Sequence, residues 1–218
     1  MPDASAGERS AVEAKQAGRG VLFIAFAKIY FILAGSAIEF GLPIVLPAVA
    51  WGAYKSLTST FNWVNAIFIT GTIQAVSLFT AKEPDKARAF QKAGFRMHLL
   101  VAFPVCALLI AGAPLIWRVL QDTSKTGPMM LAVLIGLGYA FYAVFIGTAN
   151  GRKEFHKQAA LDVTMATLRA GAMLAMAIGG FGLYGVIGAW LFATGAILLI
   201  ATFVVGLPGA NSQAPITP

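Results

Sequence analysis

The sequence predicts an all-α polytopic membrane protein with six transmembrane helices and both termini cytoplasmic. Three observations predict it. The first is composition: 58% of the 218 residues are hydrophobic and 11% charged, with a mean hydropathy of +0.77. Soluble domains average about 45–50% and about 25%, so a bilayer is the natural solvent for this chain. The second is length. A spanning helix needs ~20 apolar residues to cross ~30 Å of hydrocarbon, and six segments qualify: Val21–Leu42, Leu57–Leu78, Met97–Leu120, Pro128–Ala149, Ala159–Gly179 and Phe181–Leu207. The third is where the bases fall. Eleven lie in the N-terminal arm and in the second and fourth connections, whereas the first and third connections hold only Lys55, Arg118 and Lys125 and the fifth holds none. The positive-inside rule then turns the eleven-base side toward the cytoplasm. No alternating barrel pattern occurs, and backbone groups in lipid must be paired internally, which selects helices.

Residues 1–20 read as a cytoplasmic arm carrying Arg9, Lys15 and Arg19. The first span then carries Lys28 and Glu39, eleven residues and three turns apart, on one face. Its length and these charges argue against a cleaved leader, although Ala48–Ala50 resembles a cleavage site. Pro43 and Pro47 should end or kink it. Lys28 is close enough to one edge to snorkel, and Glu39 is close enough to the other to be hydrated.

In the second span Thr58, Asn62, Asn65 and Thr72 fall in one narrow arc at 100° per residue, a polar stripe that lipid would penalise. The connector Thr80–Arg96 mixes acids and bases and should be an amphipathic cytoplasmic helix. Pro104 and Pro114 predict bends in the third span. Tyr139 and Tyr142 of the fourth are neighbours at i and i+3 and read as packing residues with satisfied hydroxyls.

The fifth span holds Asp162 and Arg169, two turns apart on one face. Asp162 can reach the cytoplasmic interface. Arg169 lies near the bilayer midplane, where an arginine costs ~2.5–3.5 kcal/mol on translocon scales, so it must meet a partner. That partner is either a structural carboxylate or carbonyl, or an anionic ligand in a water-filled cavity. At ~10 Å along the axis the two are too far apart for a direct ion pair, and each should have its own partner. Small residues at four-residue spacing, Gly171/Ala175/Gly179 and Gly185/Ala189/Ala193, predict an antiparallel hairpin of the last two helices packed along those faces. Residues 208–218 carry no charge and read as a disordered tail after the 21–207 bundle.

Several classes are excluded at this level. One cysteine and two histidines offer no metal cluster, and no cofactor motif occurs. No nucleophile–base pair or Gly-rich phosphate loop points to an enzyme. Nucleic acid is not a partner, because no basic stripe is interleaved with stacking aromatics. Membrane lipid is the expected surroundings. The cavity candidates are Arg169, Lys28, Asn62, Asn65, Asp162 and Glu39.

Three stretches carry a resemblance. "KIYFILAGSAIEFGLPIVLP" (Lys28–Pro47) resembles the first helix and Leu-Pro exit of polysaccharide flippases in the multidrug/oligosaccharidyl-lipid/polysaccharide exporter superfamily. "FITGTIQAVSLFTAKEPDKA" (Phe68–Ala87) is similar to the end of their second helix and its connector, and "YAVFIGTANGRKEFHKQAALDVTMATLRAG" (Tyr142–Gly171) to their passage from fourth to fifth helix. The resemblance covers about Gly20 to Leu207 and one of the family's two lobes. It implies alternating-access movement of an undecaprenyl-linked oligosaccharide across a bacterial cytoplasmic (inner) membrane for surface polysaccharide such as lipopolysaccharide. Arg169, with Lys28, would then face an anionic pyrophosphate. Transport needs two bundles rocking about a site, so a second six-helix lobe or a homodimer is the implied partner. The other readings are a non-transporting scaffold, a truncated half-transporter, or a lobe of a multidrug exporter. The arginine that many relatives show after the Leu-Pro exit is absent here, where the chain reads "LPIVLP".

Overall fold

A computed structural model describes residues 4–119 and 121–207, with side-chain surroundings from Gly18 onward except at positions 19, 60, 61, 63, 64 and 67. All regular structure among these residues is helical: α1 Ala4–Val45, α2 Ala48–Asn65, α3 Gly71–Lys82, α4 Ala87–Met97, α5 Phe103–Val119, α6 Thr126–Gly151, α7 Phe155–Ile178 and α8 Gly182–Val204. Five stretches are long and apolar enough to cross a membrane: Gly20–Val45, Pro84–Val119, Thr123–Gly151, Phe155–Ile178 and Gly182–Val204. The protein is thus built as a multi-pass helical membrane protein. The expected second span, Leu57–Leu78, is helical throughout but is not among the five. It carries Asn62, Asn65 and Gln74 and is the most polar of the expected spans. The expected N-terminal arm is drawn into α1 from Ala4, and the expected tail lies outside the described residues.

Of the two prolines expected to end or kink the first helix, Pro47 stands at the break after α1, whereas Pro43 lies within α1. The helix stops at Val45, and α2 begins directly after Pro47. Before Pro104, the chain takes a π turn over His98–Ala102. The wider turn gives the proline ring room against the preceding carbonyls. A second π turn, Ala66–Thr70, joins α2 to α3.

Close approaches order the helix ends. Gly20 abuts Phe155 and Gly41 abuts Leu174, so α1 and α7 run side by side in one direction. Gly151 at the end of α6 lies on Ser77 and Thr80 near the end of α3. The Tyr184 hydroxyl of α8 reaches back to the Ser124 carbonyl before α6, at 3.5 Å. One end of the bundle therefore gathers Gly20, the ends of α3, α6 and α8, the start of α7, and α4. It is the basic end, with Lys82, Lys86, Arg88, Lys92, Arg96, Arg152, Lys153 and Lys157.

The core sits around α6, which packs on α2, α3, α4, α5 and α8. Ile135, Val144 and Phe145 are wholly enclosed there. Helix α1 is different. It meets the rest almost entirely through α7, burying Gly20, Ala27, Ile38 and Leu42 and leaving Leu22, Phe40 and Ile44 open. That is the pattern of a helix wetted by lipid on most of its girth.

The α7–α8 hairpin forms as expected and is among the closest helix pairs. On α8 the expected face is turned inward, with Ala189 and Ala193 buried, but on α7 it is not. Gly171 has open space around its Cα, and Ala175 and Gly179 are exposed, while Ala170, Met173 and Ala177 are buried. The tight glycine seam lies elsewhere: a Cβ at Gly147 would stand 2.9 Å from Val76 Cβ, and one at Gly151 2.7 Å from the Ser77 carbonyl. The α7–α8 turn needs its glycines, since Gly180 and Gly182 take φ of +78° and +60°.

Candidate functional site

Arg169 lies ~21 Å along the ~36 Å of α7, well away from either end. Its guanidinium lies over two rings from different helices, Phe31 of α1 at 5.1 Å and Trp190 of α8 at 5.5 Å. No carboxylate pairs with it among the described residues, and its Nε is buried without a hydrogen-bond partner. Each ring contact contributes ~0.5–2 kcal/mol. Two together offset much of the ~2.5–3.5 kcal/mol that a mid-span arginine costs. They do so without cancelling the charge. The arrangement shelters a cation and leaves it able to attract an anion.

Trp190 also ties this group to Asp162. Its indole N–H donates to the Tyr139 hydroxyl at 3.2 Å, the Tyr139 ring meets the Tyr142 ring edge-on, and the Tyr142 hydroxyl donates to Asp162 at 3.4 Å. Asp162 and Arg169 share a face of α7, as their spacing requires, but they do not pair. The chain of contacts between them leaves α7, crosses α8 and α6, and returns. Both tyrosine hydroxyls are satisfied, as the sequence predicts. Beside these contacts, Tyr30 of α1 donates to Thr167 at 2.8 Å, because Thr167 spends its own hydrogen on the Val163 carbonyl.

The other sequence candidates stand apart from the two rings. Lys28 is exposed on α1, and its positive charge acts on Asp162. Glu39 pairs with Lys55 of α2 at 2.9 Å, both half exposed, and Lys55 in turn lies over the Trp51 ring at 5.5 Å. Glu39 therefore fastens the α1–α2 corner. Asn62 is exposed and Asn65 half-buried. The polar stripe expected of them with Thr72 is broken by the π turn between them. One extra residue in a turn rotates everything beyond it by ~100°. Thr72 accordingly faces inward, donating to the Phe68 carbonyl at 2.6 Å and accepting from Nε2 of wholly buried His98 at 3.0 Å.

Sequence reading misses Phe31 and Trp190, since an aromatic in an apolar span carries no mark of what it will stack on. It also misses His98, which spacing alone considers only as a metal ligand. A small apolar cleft is lined by Tyr54, Leu57, Thr58, Ala132, Ile187 and Trp190. No family model matches the chain, and neither a curated protein nor a solved structure matches it.

Proposed function

We propose that this chain is a membrane transport component that moves lipid-linked oligosaccharide across a bacterial cytoplasmic membrane. In this reading the bundle crosses the membrane six times with both termini inside. The polar stretch Leu57–Leu78 lines the interior of the assembly and is shielded by a second lobe or a second copy. The observation that carries the reading is the Arg169 guanidinium, which is sheltered by rings, has no carboxylate partner among the described residues, and keeps an unsatisfied Nε–H. A structural lock would cancel its charge; a group that receives a pyrophosphate must keep it. Lys28 and Asp162 then mark the entry side, and the resemblance supplies the substrate class.

The test is export of lipid-linked sugar in cells carrying Arg169→Ala at wild-type abundance. Export should fall at least tenfold, the loss expected for removing one charge-assisted phosphate contact worth ~1.5–3 kcal/mol. Unchanged export overturns the reading. The pairing is checked separately by mass measurement in mild detergent, where a dimer or a stable complex with another helical lobe is expected. A strict monomer that still restores export would remove the two-lobe element.

A further inference from the structure

The basic end of the bundle contains two arginines that the transport reading does not use. Arg88 sits in the first turn of α4 and donates to the Leu207 carbonyl beyond α8, while Gln91 one turn later donates to the Gly206 carbonyl at 3.0 Å. These bonds clamp α4 across the end of α8. Arg152 caps the end of α6. Its neighbour Gly151 is pressed against Thr80, two residues before the close of α3, and the short 84–86 turn leads from there straight into Arg88. The fold therefore brings both arginines to the same corner from opposite sides.

Neither guanidinium is paired with a carboxylate among the described residues. The closest acid in sequence to Arg152, Glu154, is engaged by Lys157 at 2.9 Å. Glu83 at the same corner is engaged by Lys86 at 2.7 Å. Both arginines are only partly exposed. Partial burial, and next the positive charge of Arg88, push the Arg152 guanidinium below its ordinary value, with Glu154 pulling the other way. Two like charges brought to one half-buried corner repel, and a bridging anion relieves that repulsion. Planar guanidinium forks fit the oxygens of a phosphate.

We propose that Arg88 and Arg152 form a binding site for the phosphate of an anionic membrane phospholipid, held at the corner where α4, the end of α6 and the end of α8 meet. The lipid source follows from position: the corner lies at the mouth of apolar helices, at headgroup level, where polybasic groups meet anionic lipid. A bound headgroup would fasten α4 to the bundle and so steady the basic end. The inference rests on the helices lying in a bilayer, not on transport, and its readout is lipid binding rather than export.

The experiment uses the full chain in mild detergent and follows its melting temperature and retained lipid by native mass spectrometry. The additions are phosphatidylglycerol, phosphatidylcholine and inorganic phosphate, each alone. Phosphatidylglycerol should raise the melting temperature and stay bound, phosphatidylcholine should not, and Arg152→Gln should bind phosphatidylglycerol about tenfold more weakly. Lys92→Gln, an exposed base on the same helix as Arg88, should bind as wild type. Arg88→Gln also loses the bond to Leu207, so Arg152→Gln is the deciding variant. Arg152→Lys, which keeps the charge and loses the fork, should fall between and serves if the glutamine variant does not fold. Wild-type binding by the Arg152 variants, or an equal loss in Lys92→Gln, overturns the site. Equal protection by inorganic phosphate overturns the lipid.

Discussion

Arg169 shows how a charge can be kept in an apolar helix without being cancelled. Replacing it with methionine keeps much of the length of the side chain and its contact with Phe31 and Trp190 while removing the desolvation cost. Arg169→Met should therefore leave the melting temperature unchanged or raise it, even as the proposed export is lost. A drop of several degrees would show instead that the charge holds the bundle together. Trp190→Phe keeps a ring over the guanidinium but breaks the bond to Tyr139, and should cost about 1 kcal/mol in a thermal melt. That arginine is legible in the sequence because a charge in an oily run has few explanations. Its two rings are not, because stacking partners come from other helices and leave no periodic trace. Glu39 is legible as an ionisable group but not as a clasp, since Lys55 lies across a proline corner whose geometry no spacing rule encodes.

Among the helices, glycines separate a real seam from an apparent one. Gly151→Ala should destabilise by about 1–3 kcal/mol, because its new methyl meets the Ser77 backbone, which cannot swing aside. Gly171→Ala, with nothing near it, should be neutral or slightly stabilising through helix propensity. Comparing the two melts checks the assignment. Both positions look alike in sequence: a small residue with another four away. Only the crossing partner distinguishes them. The spacing of the polar stripe misleads for a related reason, since 100° steps assume an unbroken α-helix and the π turn at Ala66–Thr70 resets the phase. The α5–α6 turn gives a pH prediction. Hydrogen bonds from Lys125 and from Ser124 hold the Asp122 carboxyl below its ordinary value. Its contribution is thus present above that ordinary value and fades as pH falls through the lowered one. Asp122→Asn should flatten that dependence: read as melting temperature against pH, the variant lies slightly below wild type at neutrality and meets it in acid.

Across the whole molecule, the helical class and most of the span boundaries follow from hydropathy and length. Gly20–Val45 and Gly182–Val204 differ by only a few residues from the runs expected. Element order is readable because each span has to find its own apolar length. What is not readable is which helix touches which, and that decides the site. Helix α1 leans on α7 alone along most of its length, yet it supplies Phe31, one of the two rings over Arg169. The other ring belongs to α8, which is anchored in the core. The guanidinium consequently straddles the joint of α7 with a peripheral helix and its joint with a central one. A small outward tilt of the first helix would peel away one cover and leave the second in place, baring half of a sheltered cation toward whatever lies in the opening. Exposing the charge to an anion, as the proposed function requires, would then need no movement of the arginine itself, only the hinging of a neighbour.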